Sequence, residues 1–357
     1  MSKNNANRIS CVDLFCGVGG LTHGLIHGGI QVVAGVDSDP QCRFPYETNN
    51  EAIFIEQEVQ KLSGTELAQM FSDANFRLLA GCAPCQPFST YSQKGRGIRN
   101  DTKWSLVSDF GRLVREVQPD FVTMENVPQL RGHQVFKDFL EDLEGYKIWW
   151  RVVDCTQYGV PQTRRRLVLL ASRFGTVELV APGFSEGSYV SVREAISHLP
   201  ALTAGSFEPN DPLHAASSLS ELNLLRIKAS KPGGTWRDWD ESLVAQCHRK
   251  KSGQTYPGVY GRMSWEIPSP TITTQCFGYG NGRFGHPEQD RAISLREAAI
   301  LQTFPEDYCF LAPGEPVQFT KLGRLIGNAV PVRIGEVVAQ SLLQHLQQHN
   351  KQSIRSK

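Results

Sequence analysis

Short apolar runs alternate with helix-like segments in the first half of this 357-residue chain, and polar motifs follow the runs. Cys85 follows a run at residues 76–80, and Glu125 follows one at 121–124. A third run, at 149–153, precedes Arg166. The three polar residues are about 40 residues apart, a spacing that suits successive βαβ units. In an open α/β sheet, the loops at the carboxyl ends of the strands converge on the ligand. We therefore expect Cys85, Glu125 and Arg166 to meet in one cleft of a mostly parallel, doubly wound sheet.

The segment GCAPCQPFS, residues 81–89, presents Cys85 between two prolines. Prolines are poor in strand and helix interiors, so the segment is expected to be an ordered loop, where functional residues concentrate. A thiol held in this way is a candidate nucleophile. Alternatively, Cys85 is an inert buried thiol, or it forms a CxxC redox pair with Cys82. The chain offers no second pair or nearby histidine to complete a zinc site, so we expect no metal.

The segment DLFCGVGG, residues 13–20, places glycines where a strand over 9–15 turns into a helix. Such a turn lets the backbone approach a ligand, and Asp37, at the end of the next strand, could bind a ribose diol. The pattern predicts a nucleoside cofactor pocket. It departs from the GxGxxG spacing of dinucleotide sites, which disfavours a nicotinamide cofactor. The alternative is an ordinary turn between a strand and a helix.

The composition and periodicity of the sequence change after about residue 183. From there to about 290 it is rich in Gly, Pro, Ser and Trp and has few long periodic segments, as a separate loop-rich module would be. Helical patterns return at 294–303, where Ser294 and Glu297 form a capping-box pattern, and at 332–349. The sequence thus predicts an α/β domain with a second, irregular module inserted before its last helix.

Composition sets broad limits on function. The chain is 40% hydrophobic with a formal net charge of +1, so any nucleic-acid surface must come from local basic patches. The first residues lack an apolar signal-peptide core, and no run approaches the roughly 18 apolar residues of a membrane span. With nine cysteines in such a chain we expect free thiols in a reducing cytoplasm.

Six motifs in order give the chain a resemblance to the DNA (cytosine-5) methyltransferases from about residue 12 to 332. The similar segments are DLFCGVGG, GCAPCQPFS, ENV at 125–127, QTRRR at 162–166, LREAAILQTFP at 295–305 and GNAVP at 327–331. The resemblance implies a Rossmann-like class I methyltransferase sheet with an inserted, loop-rich target recognition domain. It places the catalytic, cofactor-binding domain at 1–184 and the recognition domain, with the ninth motif, at 185–318. A segment at 319–357 then returns to the catalytic domain.

The resemblance also implies which residues bind the ligands. The residues expected at S-adenosyl-L-methionine are Phe15, Cys16, Gly17, Gly19, Gly20, Asp37, Glu58, Pro84, Asn328 and Val330. The residues expected at DNA are Ser89, Lys94, Arg96, Gln162, Arg237, Arg249 and Thr271. Glu58 stands where the family commonly has aspartate. Lys94 and Arg96 belong to a basic, glycine-containing segment at 90–103 that is expected to clamp a phosphate backbone.

By the same resemblance, Cys85 attacks carbon 6 of a flipped-out cytosine, and a methyl group is then transferred to carbon 5. Glu125 holds the exocyclic amine and protonates N3, and Arg166 holds O2. Arg164 is placed for a flanking phosphate or loop contact. The expected partner is double-stranded DNA, bound by a monomer in the bacterial cytoplasm and nucleoid, without a membrane. A cognate restriction endonuclease would act separately.

Three other functions stay open at this point. An RNA methyltransferase of the same fold would act on transfer RNA, although the CFT tripeptide of that branch is absent and CFG at 276–278 only approaches it. An inactive DNA-binding scaffold would not need the catalytic set of Cys85, Glu125 and Arg166. A redox protein using Cys82 and Cys85 would leave the glycine turn and the ENV and QTRRR segments unexplained.

Overall fold

The computed structural model describes residues 8–71, 75–84, 105–185 and 187–355. These residues divide into two compact units. The first comprises residues 1–154, 165–182 and 330–357, and the second comprises residues 155–164 and 183–329.

A seven-stranded sheet forms the centre of the first unit, and its strand order is β3-β2-β1-β4-β5-β7-β6. The strands are β1 (Ile9–Leu14), β2 (Gln31–Asp37), β3 (Ile53–Glu56), β4 (Phe76–Gly81), β5 (Phe121–Asn126), β6 (Lys147–Asp154) and β7 (Arg165–Ser172). Neighbours from β3 to β5 are parallel, whereas β7 pairs antiparallel with both β5 and β6. The expected mostly parallel sheet is confirmed.

Helices cover both faces of this sheet. The helices of the chain are α1 (Gly20–His27), α2 (Arg43–Asn49), α3 (Gly64–Met70), α4 (Ser105–Val117), α5 (Gln134–Asp142), α6 (Val192–Ile196), α7 (Glu221–Ala229), α8 (Gln246–Arg249), α9 (Leu295–Leu301), α10 (Phe319–Asn328) and α11 (Val332–Arg355). On one face, apolar side chains of α3, α4 and α5 pack with strand residues in a single core, in which Phe110 and Phe139 have ring centroids 5.2 Å apart. On the other face α11 reaches β7, where Ser172 Oγ and His345 Nε2 are 2.9 Å apart. No helix in the described ranges is long and apolar enough to cross a membrane.

Glycines allow α1 and α11 to pack at close range. A Cβ atom added at Gly24 would lie 2.1 Å from the carbonyl oxygen of Val332 and 2.7 Å from Cα of Gly335. One added at Gly28 would lie 2.3 Å from Cβ of Ala339. The first contact is with backbone, which cannot rotate away. The position of α11, the last helix of the chain, therefore depends on the absence of a side chain at Gly24.

We expect Gly24→Ala to destabilise the protein by up to about 2 kcal/mol, because overpacking costs about 1–3 kcal/mol whereas alanine favours a helix by roughly 1 kcal/mol. Urea unfolding followed by circular dichroism measures the effect. Gly132→Ala is the matched control, since a Cβ atom there meets no described atom within 4 Å. Equal stability of the two variants would contradict this account of the packing.

The second unit has little regular structure beyond α6 to α10 and a two-stranded sheet of β8 (Phe207–Glu208) and β9 (Asp211–Ala215). Buried charged groups hold its loops. Arg291 is fully buried and donates to both carboxylate oxygens of Glu297 at 2.8 and 2.6 Å. Burial alone would raise the pKa of Glu297, but the hydrogen bonds and charge of Arg291 lower it to about 2. Glu297 also caps α9 with Ser294, as the sequence pattern predicted.

The boundary between the units differs from the expected one in two places. Helix α10 belongs to the second unit, and so does the segment 155–164. The packing of α10 explains its place: a Cβ atom at Gly323 would lie 2.5 Å from the Phe277 ring, and Gln302 Nε2 donates to the Ile326 carbonyl at 2.9 Å. The chain therefore returns to the first unit at Val330 and not at residue 319.

Candidate active site

The glycine-rich turn after β1 has an unusual backbone. Phe15, Gly17 and Gly19 all have positive φ, at 57°, 52° and 88°. Glycine adopts this region at little cost, but Phe15 does so under strain, which is concentrated at functional sites. The carboxylate of Asp37, at the end of β2, fixes the turn by accepting hydrogen bonds from the N–H groups of Gly17 and Asp39, both at 2.9 Å. Burial raises the pKa of Asp37.

Glu58 lies close to Asp37 at the same edge of the sheet. It follows β3 by two residues, and the preceding Gln57 N–H donates to the Asp37 carbonyl at 3.0 Å. The Glu58 side chain is half-exposed and forms an ion pair with Lys61 at 2.9 Å. Asp37 and Glu58 thus stand beside each other at the carboxyl ends of β2 and β3, where a ligand of the glycine turn would extend.

The remaining residues expected at the cofactor lie in varied surroundings. Cys16 is buried, and burial raises the pKa of its thiol. Gly20 begins α1, Pro84 is exposed after β4, Asn328 is the exposed last residue of α10, and Val330 is buried just before α11. Their contacts with a cofactor stay a prediction.

A buried network of hydrogen-bonded side chains lies next to the glycine-rich turn. Asp13 Oδ2 accepts a hydrogen bond from Thr22 Oγ1 at 2.7 Å, and Thr22 Oγ1 is 3.2 Å from the Tyr46 hydroxyl. Asp13 is 1% exposed, and its Oδ1 has no hydrogen-bond partner among the described residues. Burial, and to a lesser degree the charge of Asp37, raise the pKa of Asp13 to about 7 although the Thr22 hydrogen bond lowers it. The folded protein thus favours the protonated form of Asp13.

This raised pKa predicts that Asp13 lowers stability as the pH rises. An unfolded aspartate ionises near pH 4, so between about pH 4 and pH 7 the unfolded chain loses a proton that the folded protein keeps. The penalty is complete above pH 7 and is at most about 4 kcal/mol. We expect the stability of Asp13→Asn relative to the wild type to rise by on the order of 2 kcal/mol between pH 5 and pH 8.

Urea unfolding at the two pH values measures this difference. Asp138→Asn is the control, because Asp138 is exposed on α5. A stability difference between Asp13→Asn and wild type that is the same at pH 5 and pH 8 would show that Asp13 does not titrate as proposed.

Glu125 and Arg166 meet at the carboxyl edge of the sheet. Glu125 is 5% exposed near the end of β5, and its Oε1 lies 2.9 Å from Nε of Arg166, whose side chain is 15% exposed. The Arg166 N–H does not point at this oxygen, which therefore has no aligned hydrogen bond among the described residues. A buried carboxyl oxygen in this state retains the capacity to bond a ligand. The expected convergence of Glu125 and Arg166 is confirmed.

The strand that carries Arg166 differs from the expected arrangement. Arg166 follows β6, which runs in the same direction as β5, and it is the second residue of β7, which runs antiparallel to both. The start of an antiparallel strand lies at the same edge as the end of its parallel neighbours. Arg166 thus reaches Glu125 from the opposite chain direction.

Two side chains beside Glu125 make contacts that the sequence did not predict. Cys82 directly follows β4, and its Sγ donates to Glu125 Oε2 at 3.0 Å. Asn126 is buried and donates to the Ala83 carbonyl at 3.2 Å, which ties β5 to the segment that leads to Cys85. The CxxC spacing was the available signal for Cys82, but it suggested a bond to Cys85 and not a contact with a carboxylate.

Gln162 and Arg164 donate hydrogen bonds to the backbone of the second unit, which for Arg164 agrees with the expected loop contact. Gln162 is fully buried and donates to the carbonyl of Leu301, at the end of α9 where helix carbonyls lack partners. Arg164 is 3% exposed and donates to the carbonyls of Ile272 and Ala329 at 3.3 and 3.2 Å. Two of the polar positions of QTRRR thus hold the fold together, and Arg166 alone of this segment lies against Glu125.

The other residues expected at DNA in the second unit are at its surface. Arg237 lies over the Trp236 ring and donates to the Gln254 carbonyl at 2.8 Å. Arg249 is exposed and donates to the carbonyl of Glu241 at 2.7 Å. Each guanidinium has five N–H donors, so both retain donors for a phosphate. Thr271 Oγ1 donates to the Thr163 carbonyl.

Four expected site residues lie outside the described residues. Cys85, Ser89, Lys94 and Arg96 fall within 85–104. Their roles stay predictions from the sequence.

Comparison with known proteins bears on the whole chain. The family model for the C-5 cytosine-specific DNA methylase matches residues 9–344. The chain is 51% identical over 350 residues to the type II methylase M.HgiDII of Herpetosiphon aurantiacus, covering 96% of this chain and 98% of that protein. It is 32% identical over 343 residues to the type II methyltransferase M1.HphI of Haemophilus parahaemolyticus, covering 94% and 87%.

A solved structure supports the fold. The structure of a prophage-encoded DNA modification methyltransferase from Escherichia coli has a TM-score of 0.72 at 21% identity, covering 95% of this chain and 99% of that one. At this identity the likeness is one of fold, and it agrees with the Rossmann-like methyltransferase sheet expected from the sequence.

Proposed function

Because the chain belongs to the C-5 cytosine-specific DNA methylase family, we propose that it transfers a methyl group from S-adenosyl-L-methionine to carbon 5 of a flipped-out cytosine. The chain is a DNA cytosine-5 methyltransferase of the type II restriction-modification class. The single observation that carries the mechanism is the buried pair of Glu125 and Arg166, in which Glu125 Oε1 has no aligned donor. A carboxyl group and a guanidinium side by side match the polar edge of cytosine.

The chemistry requires activation of the base. Carbon 5 of cytosine is too weak a nucleophile to take a methyl group unaided, so the ring must first gain electron density. The Cys85 thiolate supplies it by bonding to carbon 6. After methyl transfer, a water molecule takes the proton from carbon 5, the double bond between carbons 5 and 6 re-forms as Cys85 leaves as a thiolate, and N3 returns its proton to Glu125.

Glu125 and Arg166 would hold the pyrimidine and neutralise its charge. Glu125 takes the exocyclic amine as a hydrogen-bond donor and gives a proton to N3 as Cys85 attacks. Arg166 donates to O2, which is an acceptor in every protonation state of the ring. Because both side chains are largely buried, both interactions would be stronger than they are in water.

The glycine turn fits a nucleoside cofactor. A Cβ atom added at Gly17 meets no described atom within 4 Å, so the turn borders open space, and Asp37 has lone pairs left for a ribose hydroxyl. Phe15, Gly17, Gly19, Asp37 and Glu58 would hold the cofactor. When bound, S-adenosyl-L-methionine supplies a methyl group on a positively charged sulfur.

We infer that the second unit recognises the DNA site. We infer that its surface loops, with Arg237, Arg249 and Thr271, contact the duplex, and that the basic segment at 90–103 contacts phosphate. Double-stranded DNA is then bound by a monomer in the bacterial cytoplasm, and any cognate restriction endonuclease acts separately. Relatives that are type II methylases support DNA as the substrate.

The proposed function is tested by incubating the purified protein with S-adenosyl-L-methionine and mixed-sequence DNA and sequencing the DNA after bisulfite treatment. We expect full methylation of cytosine in one short sequence context. Bacterial transfer RNA, treated in parallel, should remain unmodified. Methylation of transfer RNA alone, or of neither nucleic acid, would refute the proposal.

A further inference from the structure

Cys82 contacts the carboxyl group that the proposed mechanism uses. Its Sγ donates to Glu125 Oε2 at 3.0 Å, while Oε1 of the same carboxyl faces Nε of Arg166 at 2.9 Å. The two oxygens of Glu125 therefore lie against different side chains, one from the end of β4 and one from the start of β7. These contacts fix the rotation of the carboxyl group about its last bond.

The backbone around Cys82 is fixed from both sides. The Cys82 N–H donates to the Leu14 carbonyl at 3.3 Å, at the end of β1. The carbonyl of the following residue, Ala83, accepts a hydrogen bond from Asn126 at 3.2 Å. The thiol is therefore attached to a segment held by β1 and β5, and so its position does not depend on its own bond to Glu125.

We propose that Cys82 is a positioning residue that orients Glu125, an inference that rests on the proposed function. Its thiol occupies Oε2, which leaves Oε1 as the oxygen that meets the base. Without the donor, the carboxyl group is free to rotate and spends less time in the orientation that N3 requires. A thiol is a weak donor, but a hydrogen bond to an ionised carboxylate is stronger than one between neutral groups, so the contact restrains the rotation of Glu125.

The choice of substitution separates this role from simple packing. Serine keeps a donor at nearly the same place, whereas alanine has none. A redox role of the CxxC pair makes the opposite prediction for serine, because the hydroxyl cannot form a disulfide. Cys82→Ser and Cys82→Ala therefore distinguish orientation of Glu125 from redox chemistry and from mere volume.

The experiment measures kcat and KM for DNA methylation by the full chain. We expect Cys82→Ala to lower kcat by about tenfold or more, with KM for DNA and cofactor within about twofold of wild type, and Cys82→Ser to recover most of the rate. In a Glu125→Gln background, Cys82→Ala should have little further effect, because the group it orients is already disabled. Cys11→Ala, which truncates a buried thiol of β1, is the control and should retain the wild-type kcat.

Three results would overturn the inference. They are an unchanged kcat in Cys82→Ala, an equal loss in the serine and alanine variants, and an undiminished effect of Cys82→Ala in the Glu125→Gln background. Failure of the proposed function itself gives a different result, since the wild type would then not methylate DNA. Thermal unfolding of each variant confirms that the compared samples are folded.

Discussion

Cys85→Ser is expected to reduce methyl transfer by at least about three orders of magnitude while DNA and cofactor still bind. A free cysteine is a few per cent thiolate at neutral pH, whereas a serine hydroxyl is essentially un-ionised there and is a much weaker nucleophile. The substitution replaces the sulfur atom by oxygen and changes the volume of the side chain little. The loss should therefore be confined to kcat, measured with labelled S-adenosyl-L-methionine at saturating DNA.

A trapping experiment tests the same residue independently. With 5-fluorocytosine at the recognition site and S-adenosyl-L-methionine present, the methylated carbon 5 carries fluorine in place of the proton that must leave, so the bond from Cys85 to carbon 6 should persist as a denaturation-resistant adduct. Wild type and Cys309→Ser should form the adduct, because Cys309 is an exposed thiol outside the site, whereas Cys85→Ser should not. Turnover by Cys85→Ser, or an adduct through another residue, would remove Cys85 from the mechanism.

The sequence predicted those parts of the fold that depend on local patterns. Residues 76–80 and 121–124 are mostly apolar, and both runs form strands of the sheet that are buried from Leu78 and from Phe121 onward. The glycine turn was predictable because few residues other than glycine tolerate the positive φ found at positions 17 and 19. Even here the strand ends at Leu14, because Phe15 takes a left-handed conformation that its residue type does not suggest.

The roles of the arginines and of Gln162 could not be read from the sequence. In QTRRR, alternating side chains of one short segment have different surroundings: Arg164 is buried against the carbonyls of Ile272 and Ala329, and Arg166 faces Glu125. The carbonyls that Gln162 and Arg164 satisfy come from residues more than 100 positions away. Spacing within a motif indicates that polar groups are needed, but long-range contacts decide whether they meet ligand or backbone.

The direction of β7 is a further case. A spacing of about 40 residues fits another parallel unit, and the sequence offers nothing to distinguish it from a strand that returns antiparallel after a long connection. Both arrangements bring Arg166 to the same edge of the sheet. The meeting of Arg166 and Glu125 could therefore be predicted without knowledge of the direction of β7.

Glu125→Gln should lower kcat by about 10²- to 10⁴-fold, the range usual for removal of a general acid. The amide still accepts a hydrogen bond through its oxygen, but it cannot give a proton to N3, so the charge that develops on the ring after attack by Cys85 stays unneutralised. Cofactor affinity should change little, because Glu125 lies on β5 whereas the glycine turn and Asp37 lie on β1 and β2. Rates at saturating substrate, with cofactor binding by calorimetry, separate the two effects.

The control for this prediction is Glu178→Gln, which makes the same chemical change at an exposed position of the first unit. It should retain the wild-type rate. Folding provides a second check: a buried glutamine avoids the cost of burying a charge but leaves Arg166 without its counter-ion, so any loss of stability should be modest compared with the loss of rate. If Glu125→Gln turned over at the wild-type rate, proton transfer to N3 would have to come from another group, and the pair of Glu125 and Arg166 would serve only to bind the base.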